Sequence, residues 1–170
     1  MLILTNLVVH GFVFAFILTT YLLITMVKVN PRVWAFSDYP KEITDNVPPQ
    51  TKKEKRKAAV LSIPFFIIGI GYPFLSTLFA KDLYGGVIPL FDAFINTFGV
   101  LMFGFLSDLL ILDLLIVGTI TPKFVIIPGT ESMKETEYKD FRLYHAKAHV
   151  KGLFLLVIVS FVIALIVYAL

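Results

Sequence analysis

The sequence predicts an all-α fold: a polytopic membrane protein, a four-transmembrane-helix bundle with both termini outside and two structured cytoplasmic loops. Three observations lead there. Hydrophobic residues make up 58% of the chain and charged residues only 16%, well away from the balance of a soluble domain. The charges gather in two blocks, 28–57 and 121–151, and leave four apolar runs. Each run is about 18 residues or longer, enough for a helix to cross a hydrocarbon core of roughly 30 Å. Finally, Lys and Arg number eight in 28–57, six in 121–151 and one, Lys81, in the hairpin between the second and third runs. The excess of positive charge places the two rich loops in the cytoplasm.

The first run, residues 3–27, has no basic residue ahead of it and no small-residue cleavage site behind it, so it reads as a retained helix. The second, 58–80, follows TKKEKRK, in which Thr51 and Glu54 have capping-box spacing. Its core, LSIPFFIIGIGYPFLS, sets Pro64 and Pro73 around two glycines. Each internal proline removes a backbone hydrogen bond, which predicts a kink near the middle. The third helix, 89–118, starts on Pro89 and stops at Gly118. The fourth is expected over 133–170, capped by Ser132 and Glu135, with its membrane part at 152–170. Tyr138, Phe141, His145, Ala148 and Gly152 would then share one face. No fixed period relates the halves, so residues 1–170 read as a single membrane domain.

The two loops carry their own signals. In 28–57, Trp34 among prolines and charges predicts a segment lying on the membrane surface at headgroup depth. Lys52, Lys53, Lys55, Arg56 and Lys57 form a basic collar suited to anionic lipid headgroups, at about 1 kcal/mol per residue. In 121–151, KFVIIPGTESMKE reads as a short apolar strand or membrane-dipping segment, then a Pro128-Gly129 turn that needs Gly in third place.

Chemistry concentrates in few places. The chain contains no cysteine, which excludes disulfides, thiolate nucleophiles and thiolate metal ligands. Asp108 and Asp113 interrupt the apolar run FLSDLLILDLLIVG. A carboxylate at such depth costs about 2.5–3.5 kcal/mol on insertion scales and calls for a partner, a proton or a wet cavity. Five residues separate the pair, about 140° on an α-helix, so the two are not expected on one face. Asp92 and Asn96, four apart, do share a face near the outer end. His145 and His149, in HAKAH, are spaced to stack on one helical face as two metal ligands would, without the Glu of the zinc-protease motif. They enter the membrane on the same side as Asp113, so a cluster of His145, His149 and Asp113 with Asp108 or Glu131 is the candidate catalytic or metal site, for a divalent ion. His10, alone in VVHGF, reads as a neutral interhelical hydrogen-bond partner.

Three classes of function fit these residues. The leading expectation is a transport component or accessory subunit, working as a homo-oligomer or with a membrane-protein partner in the plasma membrane. The alternative is a membrane-embedded, metal-dependent enzyme acting on a lipid or isoprenoid substrate at the cytoplasmic face. Nucleic acid is not an expected partner. Convergence of the histidines and aspartates favours the enzyme, and a polar track from Asp92 through Asn96 to Asp108 favours transport.

Overall fold

The computed structural model describes the backbone of residues 2–170 and, apart from positions 2 and 141–143, their side chains. The side chain of Phe141, placed above on the histidine face, thus lies outside the described residues. The chain is 81% helix, with no strand among the described residues. In order come α1 (Leu2–Lys28), α2 (Pro31–Trp34), α3 (Lys41–Thr44), α4 (Lys52–Phe66), a π-helical turn (Ile67–Gly71), α5 (Tyr72–Leu83) and α6 (Leu90–Ser107). A second π-helical segment (Asp108–Ile120) continues α6, and two 3-10 turns (Lys123–Val125, Glu131–Met133) lead into α7 (Glu137–Ala169). Four helices are long and apolar enough to cross a membrane: Ile3–Lys28, Lys52–Leu83, Leu90–Ile120 and Glu137–Ala169.

One helix start follows its expected cap and one does not. The second long helix begins at Lys52, six residues ahead of its apolar run, where the expected capping box forms: the Thr51 amide donates to Glu54 Oε2 at 2.7 Å and the Glu54 amide to Thr51 Oγ1 at 3.2 Å. The basic collar is therefore the helix's first turns. The last helix begins at Glu137, four residues later than the Ser132–Glu135 box predicts. There the backbone turns tightly instead, with Met133 N donating to Thr130 O at 3.0 Å and Thr136 N to Met133 O at 3.2 Å. Tyr138 holds this turn in place, since its hydroxyl accepts from Ile127 N at 2.8 Å and pairs with Thr130 Oγ1 at 2.8 Å.

The expected strand at KFVII is also absent. Val125, Ile126 and Ile127 are buried after a 3-10 turn. The Pro128-Gly129 turn forms as read: Thr130 N donates to Ile127 O at 3.0 Å, and Gly129 sits at φ +96°, where a Cβ would be strained.

Contacts sort the chain into two compact units. One holds the chain up to Thr19, Phe65–Ser107 and Val150–Leu170, and the other holds Thr20–Pro64 and Asp108–His149. In the first, Ala80, Ile88, Ala93, Ile163, Ala164 and Val167 form an apolar core. Beside it a neutral polar network is buried: Asn6 Nδ2 donates to Asn96 Oδ1 at 2.8 Å, Asn96 Nδ2 donates to Thr77 Oγ1 at 3.1 Å, and Thr77 pairs with Thr97 at 2.8 Å. Such bonds hold apolar helices together where water is absent. Close approach adds to this, because a Cβ built on Gly104 would meet Phe14 at 2.4 Å. The predicted break between Pro64 and Pro73 takes the form of the π turn at Ile67–Gly71. His10 is a hydrogen-bond partner as expected, with Nδ1 3.0 Å from Tyr72 Oη.

In the second unit, Met26, Ala35, Tyr39, Ile43, Leu112, Val117, Val125, Ile127 and Tyr138 make one core. The short helices α2 and α3 are folded into it. Trp34 Nε1 donates to Val29 O at 3.1 Å, and the Tyr39 hydroxyl donates to Val125 O at 2.5 Å. That bond ties the first loop to the second and fixes Asp38, the residue before Tyr39, in place.

Candidate metal centre

The site is built on the π-helical segment. A π-helix closes i→i+5 hydrogen bonds and so has a wider turn, which brings residues five apart much nearer one face than on an α-helix. Burial follows that period along Asp108–Ile120: Leu110, Leu115 and Ile120 are exposed, while Leu112 with Val117 and Asp113 with Gly118 are buried. Asp108 therefore stands in the same column as Asp113, and the expectation that the two diverge is corrected. The reason is the local backbone, which abandons the 3.6-residue turn on which the 140° separation rested.

On α7 the spacing works as predicted. His145 and His149 sit one turn apart with ring centroids 6.5 Å from each other, and both face this column. The Nδ1–H of His145 donates to Asp113 Oδ2 in a very short hydrogen bond. His149 Nδ1 donates to the carbonyl of His145 at 3.1 Å and lies 3.5 Å from Asp113 Oδ2, while its Nε2 lies 3.5 Å from Asp108 Oδ2. One potential ligand atom each from Asp113, His145 and His149 falls within 4.8 Å of the others. Asp113 is 8% exposed, so its carboxylate has little water to rely on and depends on these rings.

Asp38, in the loop between α2 and α3, is coupled electrostatically to this cluster, and the residue pattern did not reveal it. Loss of hydration raises its carboxyl above the usual range; His145 pulls it back down, and the Asp113 and Asp108 carboxylates push it further up. Glu131 is not part of the cluster. Its carboxylate accepts the Gly129 amide at 3.0 Å and so serves the turn.

The donor set suits a divalent transition metal. Two imidazoles and a carboxylate are ligands for zinc and for non-haem iron. These ligands bind a metal only in their deprotonated forms, so binding would release protons. Asp108, 3.5 Å from His149 Nε2, remains beside the trio as an acid–base group.

The other predicted residues are apart from this chemistry. Lys52, Lys53, Lys55, Arg56 and Lys57 are all exposed, and Arg32, outside the collar, pairs with Glu54 at 2.9 Å. Trp34 packs edge-on against Tyr39 at 6.2 Å. Asn96 belongs to the buried network of the first unit, and Asp92 accepts from the Tyr84 hydroxyl at 2.8 Å. Set against protein-family models, curated proteins and solved structures, the chain matches none of them.

Proposed function

We propose that this is an integral membrane enzyme that uses a divalent metal held by Asp113, His145 and His149 to hydrolyse a lipid or isoprenoid substrate at the cytoplasmic face. The observation that carries the reading is the convergence of two histidines and two aspartates from two separate stretches of chain. Packing alone requires each polar group only to find one partner; four ionisable groups in one place are characteristic of a reaction site. The four long apolar helices supply the membrane setting, with the two basic loops on the cytoplasmic side and the termini outside.

A bound ion of this kind supplies Lewis acidity and lowers the pKa of water. The chain's own residues do the rest. Asp113 and the two imidazoles hold the centre, and the column of Asp108 above Asp113 keeps a carboxylate 3.5 Å from His149 Nε2, positioned to take a proton from the attacking water and return it to the leaving oxygen. The collar at 52–57 concentrates anionic lipid around the second unit.

Elemental analysis of the protein purified in detergent, wild type against the His145→Ala/His149→Ala double variant, tests this. We expect one equivalent of a transition metal in the wild type and none in the variant. Metal-free wild-type protein that takes up no zinc, iron or manganese on dialysis would overturn the reading. The transport reading uses the same trio as a cargo site, and it is favoured by the 38% exposure of the Asp108 side chain. Divalent-ion flux in proteoliposomes without lipid hydrolysis would select it.

A further inference from the structure

Beside the metal centre, in the same unit, a groove of about 590 Å³ is lined by Phe36, Ser37, Tyr39, Lys41, Glu42, Thr44 and Tyr144. Its volume lies in the range of small-molecule sites. One feature ties it to the candidate site: Tyr144 precedes His145, with their rings 6.2 Å apart. A molecule seated in the groove would therefore lie next to the cluster.

The lining also has a definite chemistry. Lys41 and Glu42 bring one positive and one negative charge, and among the described residues neither enters an ion pair. Ser37 adds an exposed hydroxyl. Phe36 already has the Arg32 guanidinium 5.3 Å from its ring and Tyr39 is core, so Tyr144, 45% exposed, supplies the aromatic ring that attracts a cationic group through its face. An anionic ligand would meet Lys41 but be repelled by Glu42; a cationic one faces the reverse. A ligand with both signs and no net charge satisfies both. The groove belongs to the loop between the first two long helices, so it stands at their ends, where charged side chains belong and where lipid headgroups lie.

We infer that this groove binds the zwitterionic headgroup of a phospholipid, with its phosphate toward Lys41 and its amine toward Glu42 and the Tyr144 ring. The inference rests on the catalytic reading above and names the substrate class of that centre: a net-neutral phospholipid such as one bearing ethanolamine or choline. Anionic lipid held by the collar at 52–57 is then surroundings and not substrate.

Trp34 is the chain's one tryptophan and packs against Tyr39 in the groove wall, so it reports occupancy. The experiment titrates purified protein in maltoside micelles with short-chain phosphatidylethanolamine, phosphatidylcholine and phosphatidylglycerol while following Trp34 fluorescence. We expect the two zwitterionic lipids to bind at least tenfold more tightly than phosphatidylglycerol. Glu42→Lys should reverse that order, and the double swap Lys41→Glu/Glu42→Lys, which keeps both signs, should restore it. Equal affinity for all three lipids, or a preference that Glu42→Lys leaves unchanged, would overturn the inference. Metal analysis of the same wild-type preparation separates the two readings. Selective lipid binding by wild-type protein that takes up no metal supports the headgroup site while the catalytic reading falls; stoichiometric metal with no lipid preference does the opposite.

Discussion

At the scale of single residues, Asp113 is the group on which the cluster turns. One of its oxygens touches both histidines, so Asp113→Asn keeps the shape and removes the charge. Metal affinity should fall by more than the roughly 10- to 100-fold that loss of an outer partner of a ligand costs, because a ligand itself is lost; equilibrium dialysis with zinc measures it. Tyr39 makes a different prediction. Burial holds its hydroxyl well above the ordinary tyrosine range, with Tyr138, Asp38 and Asp113 pushing the same way. Because the folded value is the higher one, the contribution to stability is complete below about pH 10, where an unfolded tyrosine is still neutral, and declines as pH climbs past it. The unfolding midpoint should therefore drop on the alkaline side, and Tyr39→Phe should flatten that drop while losing about 1 kcal/mol at neutral pH with the bond to Val125. The histidine pair and Asp113 were legible from spacing and depth. The electrostatic coupling of Asp38 to them was not, because those groups are distant from it in sequence and no local pattern marks it.

At the scale of elements, the capping box at Thr51 and Glu54 could be read from two letters because its bonds are local. Thr51→Ala should lower stability by about 1 kcal/mol, visible as a lower midpoint in a thermal melt. The same spacing at Ser132 and Glu135 misled, since Tyr138 draws the chain into a turn through bonds to Ile127 and Thr130 that only the folded core supplies. Helix contacts give a further test. Phe14 is 1% exposed and lies where the Cβ of Gly104→Ala would go, so that substitution should destabilise the first unit by about 1–3 kcal/mol, read from the midpoint of a denaturant melt in mixed micelles.

For the whole molecule, composition and charge distribution were enough to call an all-helical chain with four helices long and apolar enough to cross a membrane, because the length of an apolar run and the clustering of charge are properties of sequence alone. The division into two compact units was hidden, since each unit is stitched from distant stretches. It has a measurable result. Metal at 100 times its Kd should stabilise the protein by about 2.7 kcal/mol, and hydrogen exchange should show the added protection mainly over 108–149 and much less over 72–107. A chelator should reverse both, and His145→Ala/His149→Ala should show neither.

The π-helical column also governs what changes the lineage of this chain can accept. Between Asp108 and Ile120 a substitution alters one side chain, whereas the gain or loss of a single residue shifts the phase of everything on one side of it. Leucines that face outward would trade places with Asp108, and the carboxylate would be turned away from His149. The stretch behaves like a reading frame: tolerant of changed letters along its apolar edge, intolerant of changed length. Related chains are thus expected to vary at 110, 115 and 120 while keeping the distance from 108 to 113 fixed.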